Sequence, residues 1–229
     1  MPSSGQDGPI VKHNAVRTTI GPHGRMFVSV TSAMGLVKTI LGEPPDSYGP
    51  ANLARFHAME GTGCHAICLD WLAHKCGWLP DYAPPEWPND HGAEERWHMV
   101  MNNALVGFQE FVEQYEFEAL GIEQEAYSIP YMMVGHVDLW GTMRWKKRRV
   151  KAIVDLKFVT AILASHRLQV RCYSRLNGLR DAHIGILFHS NRNTGTWKVE
   201  PVLLGGGEDD VSAVANAARL YAWAESKRG

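Results

Sequence analysis

The chain predicts an α/β fold: a mixed central sheet flanked by helices, with an N-terminal helical portion and a C-terminal helix. Three observations carry that expectation. Helical spacing of apolar residues dominates positions 31–120, and two-residue alternation takes over across 121–204. A helical run at 164–179 separates strand-like runs, the order expected when helices lie on both faces of a mixed sheet. The 229 residues are 45% hydrophobic and 21% charged, which suits one sizeable core and is short for two. No internal repeat or linker divides the chain, so positions 1–229 are expected to form a single domain.

Each element has its own signal. Residues 1–9 read as a short disordered polar tail. Val11–Ile20 and Arg25–Val30 flank Gly21-Pro22-His23-Gly24 as a hairpin. Thr31 or Ser32 can cap a helix ending near Gly42, ahead of Pro44-Pro45. A helix is expected over Ala51–Glu60, broken by Gly61-Thr62-Gly63, and another over Cys64–Cys76. In the latter, Cys64, Ile67, Cys68, Trp71 and Leu72 form the packed stripe, with His65 on its flank. Residues 77–92, with four prolines, form a loop. A long helix follows over Ala93–Glu116.

Strands are expected at Gly121–Ile129, Met132–Arg144 and Val150–Phe158, then a helix over Ala164–Leu179. His183–His189 and Thr196–Leu203 make a hairpin across Asn191–Gly195. The last helix, Asp209–Lys227, has acids at its start and Lys227-Arg228 at its end, in accord with the helix dipole.

Bulk properties exclude some function classes. A net charge of −1 gives no overall field for nucleic acid, so any such attraction must be local. Four cysteines (Cys64, Cys68, Cys76, Cys172) suggest neither a disulfide framework nor a metal cluster, since no C-x-x-C occurs and two of them lie on the apolar stripe. No apolar run reaches membrane-spanning length and no signal segment is present, so a soluble intracellular protein is expected.

The chemistry concentrates in two strands. Asp138 closes Gly135-His136-Val137-Asp138, and Asp155-Leu156-Lys157 lies in the next strand. Asp155 and Lys157 share a face because side chains alternate, while Leu156 points into the core with its carbonyl available. An Asp-x-Lys alone is more often a surface pair. Here Val150, Ile153, Val154, Leu156 and Phe158 mark a buried strand, where uncompensated charge is costly and a site is the better explanation. Two carboxylates beside an ammonium suit a hard divalent ion, Mg²⁺ or Mn²⁺, and phosphodiester hydrolysis.

Four motifs in order give this pattern a likeness. Gly61 and His65, Gly135 and Asp138, Asp155 and Lys157, and Gln169 and Tyr173 stand at the spacings G-x-x-x-H, G-x-x-D, D-x-K and Q-x-x-x-Y. Over roughly residues 25–190 the chain resembles the PD-(D/E)XK nuclease superfamily, in its RecB-like exonuclease branch, common in phages and seen in a mitochondrial genome-maintenance exonuclease. The resemblance implies a restriction-endonuclease-like sheet and a metal-dependent deoxyribonuclease of replication, recombination or repair, acting on single strands or DNA ends. A bacterial or phage-infected cytoplasm and an unspecified recombination or replication partner go with it. His65, Asp138, Asp155 and the Leu156 carbonyl would be metal ligands, and Lys157 would be catalytic together with the two aspartates. Gln169 and Tyr173 would border the DNA. A further acid is implied on the preceding strand, Glu123 or Glu125, with Glu123 slightly favoured. Val137 stands where the superfamily's name has proline, as is usual in this branch.

Two basic features could add DNA contacts. Arg167, Arg171 and Arg175 repeat at helical spacing, as a phosphate-tracking ridge or a solvated face. Residues 144–151 carry six cations in eight positions around Trp145, as a phosphate-gripping hairpin tip or a solubilising turn. Rival functions are a structure-specific endonuclease of the same fold and a non-catalytic DNA-binding protein, the latter disfavoured because no carboxylate or lysine of the pattern is missing.

Overall fold

A computed structural model describes residues 18–20, 26–43, 51–78 and 94–227. The expected tail at 1–9, the turn at 21–24 and most of the loop at 77–92 lie outside the described residues. Seven strands and five helices are described: β1 (Thr18–Ile20), β2 (Met26–Ser29), α1 (Val30–Leu41), α2 (Ala51–Lys75), α3 (Glu94–Gln114), β3 (Glu118–Ser128), β4 (Met133–Trp145), β5 (Arg148–Lys157), α4 (Ala164–Tyr173), β6 (Ile184–Ser190), β7 (Trp197–Val202) and α5 (Glu208–Ser226). They form one mixed α/β unit.

The sheet runs β1-β2-β4-β5-β6-β7, with β3 pairing β4 besides. β4 therefore has three neighbours. β3 lies antiparallel along most of it, from Ser128↔Met133 to Glu118↔Thr142. A strand has two edges, so β2 and β5 must share the other one. β2 pairs in parallel at Val28↔Met133 and Ser29↔Val134, and β5 pairs antiparallel from Leu139↔Val154 to Trp145↔Arg148. Between them lies a stretch of β4, positions 135–138, that neither strand covers. β5 and β6 are parallel, joined through α4.

Two cores cover the faces. Val30, Met34 and Val37 of α1 pack with Val170, Tyr173 and Leu176 and with Val211, Val214 and Ala218 of α5, over Ile153 and Leu187. Cys64, Cys68 and Leu72 of α2 and Trp97, Phe108 and Phe111 of α3 cover the opposite face over Val154, Leu156, Ile186 and Phe188. Complete burial of each large side chain here stabilises by about 1.5–3 kcal/mol. The N-terminal helical portion thus divides between the two faces.

Two expected boundaries are corrected. Gly61 and Gly63 do not break the helix; α2 is continuous from Ala51 to Lys75. A Cβ on Gly63 would lie 2.8 Å from both Met101 Cε and Trp97 Cζ3, so this glycine lets α3 approach closely. The helix expected to reach Leu179 ends at Tyr173, after which single turns carry the chain to Leu179. No described helix is long and apolar enough to cross a membrane.

Candidate active site

The site forms where β5 leaves β4. β5 is paired with β4 up to Val154↔Leu139, and from Asp155 to Lys157 its ladder continues with β6 alone. Asp138 fills the gap: its Oδ2 accepts the Leu156 N–H at 2.7 Å, in place of a ladder bond. The alternation of β4 slips at the same level, with Val137 in one core and Leu139 in the other. Glu123, at that level of β3, has a left-handed φ of 46°.

Asp155 is 1% exposed. The Lys157 Nζ lies 2.6 Å from its Oδ2 as an ion pair. His65, from α2, brings Nδ1 to 3.5 Å from Asp138 Oδ2, and its ring stands edge-on to Phe158 at 5.2 Å. Leu156 presents its N–H to Asp138, and its backbone lies close enough to the His65 imidazole to favour the protonated ring slightly.

Burial acts against every charge here. It pulls His65 down to about 4, with Lys157 adding to the shift and Asp155 and Glu123 opposing it. It pushes Asp138 up to about 6 against the pull of Lys157 and the Leu156 N–H. Asp155 is pushed up too, against Lys157. At neutral pH the imidazole is neutral and keeps a lone pair. Asp138 and Asp155 gather around the Lys157 ammonium, and the Glu123 charge reaches both Asp138 and His65. Among the described residues no three His, Cys, Asp or Glu side chains stand in a ready-made metal-binding group.

Of the two candidate acids on β3, Glu123 is the one whose charge reaches Asp138 and His65, whereas Glu125 pairs with exposed His136 at 3.1 Å. The expected DNA contacts fare differently. Gln169 and Tyr173 are 9% and 2% exposed, and Gln169 Nε2 donates to the Tyr173 hydroxyl at 2.7 Å. Both are buried, within reach of the Asp155 and Asp138 charges that act on Tyr173. The Tyr173 ring fits there because Gly135 has no Cβ, which would sit 2.8 Å from Cε1. Arg167 is paired with Glu200 of β7, and Arg171 with Asp210 of α5 at 2.9 Å, so the arginine ridge ties α4 to its neighbours.

Two contributors were not foreseen. Thr31, at the start of α1, hydrogen-bonds the Tyr173 hydroxyl, whose pKa is raised first by burial and then by the Asp155 and Asp138 charges. No local pattern in the sequence signals such a distant partner. Glu60, fully buried, is bonded to Arg96 at 2.6 Å and His57 at 2.9 Å, with Arg192 at 3.3 Å. It continues the Cys64–Cys68–Leu72 stripe one turn back, a signal hidden by the break expected at Gly61.

No family model matches the chain, and no curated protein matches it. A solved structure titled "Crystal structure of SSO0001" shares 11% identity, covering 68% of this chain and 73% of that one, with a TM-score of 0.33. That likeness is too slight to bear on fold or function.

Proposed function

We propose that this protein is a metal-dependent deoxyribonuclease, built on a restriction-endonuclease-like sheet, that hydrolyses phosphodiesters in single strands or at DNA ends. The observation that carries the reading is the parting of β4 and β5, which leaves Asp138, Asp155 and Lys157 together beside His65. The donor set fits a hard divalent ion: two carboxylates, a peptide carbonyl and an imidazole held neutral. The buried Asp155 Oδ2 has the Lys157 ammonium as its neighbour at 2.6 Å.

His65, Asp138, Asp155 and the Leu156 carbonyl would hold Mg²⁺ or Mn²⁺. When bound, such an ion supplies Lewis acidity toward the phosphate and makes water a better nucleophile. The residues themselves do the rest. Leu156 N–H fixes the Asp138 carboxylate, so that it does not reorient as substrate arrives. Lys157, 14% exposed at the mouth, holds the attacking water by its ammonium and offsets charge growing on the phosphoryl oxygens. Asp155 keeps that ammonium on the reacting side. Tyr173, Gln169 and Thr31 support the carboxylates from below.

The test is incubation of end-labelled and circular DNAs, single- and double-stranded, with Mg²⁺, Mn²⁺ or EDTA. Asp138→Asn, Asp155→Asn and Lys157→Ala should each lower cleavage by at least about a hundredfold, on the scale of losing one charge-stabilising group, while circular dichroism stays unchanged. Circular DNA left intact marks an exonuclease, and cut circles an endonuclease. No metal-dependent degradation of any substrate would sink the reading.

A further inference from the structure

The expected basic loop at 144–151 is a two-residue turn. Trp145 pairs with Arg148, and Lys146 and Lys147 between them have φ of 45° and 67°. Both central residues are left-handed, as in a type I′ hairpin, a turn that strongly favours Asn-Gly. Lysines there take a backbone that L side chains adopt with strain. Local stability therefore does not explain their presence.

Charge pairing is selective along the same hairpin. Arg144 is held by Glu116 at 2.5 Å, Arg149 by Glu118, and Lys151 by Asp181. Lys146, Lys147 and Arg148 are exposed and have no acidic partner among the described residues. Three of the six cations are neutralised at the base, and three stay bare at the tip. Trp145 stacks on Tyr115, with ring centres 5.8 Å apart, which fixes the arm and leaves that face of the indole covered. β4 ends at Trp145, seven residues beyond Asp138 and roughly 24 Å along the strand, and the tip follows it.

We propose that Lys146, Lys147 and Arg148 form a second nucleic-acid contact, an arm that grips phosphates of the strand well away from the cleavage centre. The choice of nucleic acid as partner rests on the function proposed above. A membrane surface would call for more basic residues or an apolar wedge, and the tip offers three cations and no free aromatic. The arm contributes charge alone, so it should bind without sequence preference and with strong salt dependence.

The experiment is fluorescence anisotropy of labelled single-stranded and duplex oligonucleotides in EDTA, over a range of KCl. Lys146→Asn with Lys147→Gly and Arg148→Gln removes the charge and supplies the residues the turn favours. This variant should melt no lower than the wild type, and the slope of log K against log salt should become shallower by roughly 2, about 0.7–0.9 per lost phosphate contact. Lys146→Arg with Lys147→Arg keeps charge and strain and should keep the slope. An unchanged slope in the neutral variant, or no binding by the wild type, overturns the arm. So does equal or tighter binding to phosphatidylserine vesicles that the neutral variant loses. A tip-dependent slope without any Mg²⁺-dependent cleavage supports the arm while the nuclease proposal fails, so the two ideas fail separately.

Discussion

Asp138 and His65 answer the same burial in opposite ways, and this has a measurable consequence. Asp138 is raised from 3.8 to about 6, so across that window the folded chain keeps a proton that the unfolded chain has lost. Its contribution to stability falls as pH rises. His65 is lowered from 6.5 to about 4, so the unfolded chain holds the extra proton and stability falls as pH drops. The two slopes oppose each other over about pH 4 to 6. In EDTA, Asp138→Asn should therefore give melting temperatures that climb with pH relative to the wild type, and His65→Gln should give the reverse. Parallel profiles would mean that the pair is not buried together. The residues of this site were legible because charge on a strand of Ile, Val, Leu and Phe needs a reason. The burial of Gln169 and Tyr173 was not legible, because their spacing marks one helix face without saying which neighbour that face meets.

At the scale of elements, glycine was the main source of error. Gly61 and Gly63 read as a helix break from their intrinsic preference alone. In α2 the flanking residues are held by packing on both sides, with Glu60, Cys64 and Cys68 fully buried, and tertiary contact overrides propensity. The two glycines then differ in kind. A Cβ on Gly61 meets nothing within 4 Å, whereas one on Gly63 meets Met101 and Trp97 at 2.8 Å. Gly61→Ala should stabilise by about 0.5–1 kcal/mol through the unfolded chain. Gly63→Ala should destabilise by about 1–2 kcal/mol net, as overpacking against buried Trp97 exceeds the same gain. Urea midpoints at unchanged m decide the matter, and equal signs would refute the close α2–α3 seam. The rotation of α4 has a similar cause. The space above Gly135 accepts Tyr173, while Leu168 of the same helix packs half-buried against the same core. Its N-terminus is closed from outside by Glu43, which accepts the Ser165 N–H at 3.1 Å, and from within by His166, whose Nδ1 accepts the Leu163 N–H at 3.2 Å.

At the scale of the molecule, the order of strands and helices was legible and the assignment of helices to faces was not. Periodicity tells which side of a helix is apolar; it does not tell which side of the sheet that helix covers. The α2–α3 layer is tied to the sheet by Glu60, since Arg192 follows β6, Arg96 belongs to α3 and His57 to α2 itself. Arg96 also reaches Asn193, and Arg192 donates to the His57 carbonyl at 3.0 Å, so the β6–β7 turn is fastened onto both helices. Burial works to raise the Glu60 pKa, but the hydrogen bonds from Arg96 and His57 and the charge of Arg192 outweigh it, and the net shift is downward from 4.5. A lowered carboxyl stabilises the fold above its unfolded value, and that contribution is lost as pH falls through the folded one. Glu60→Gln leaves two guanidinium groups facing a neutral amide in a dry seam. The loss should be about 2–3 kcal/mol, below the range for wholly buried pairs because Arg96 is 37% exposed. Glu60→Gln should also flatten the decline in melting temperature below pH 4.5, because the group that causes part of it is gone. Since the partners of Glu60 are His57, Arg96 and Arg192 and not the carboxylates or lysine of the site, cleavage per folded molecule should change far less than stability does. A variant as stable as the wild type would show that the network is solvated and that the α2–α3 layer is held by its apolar seam alone.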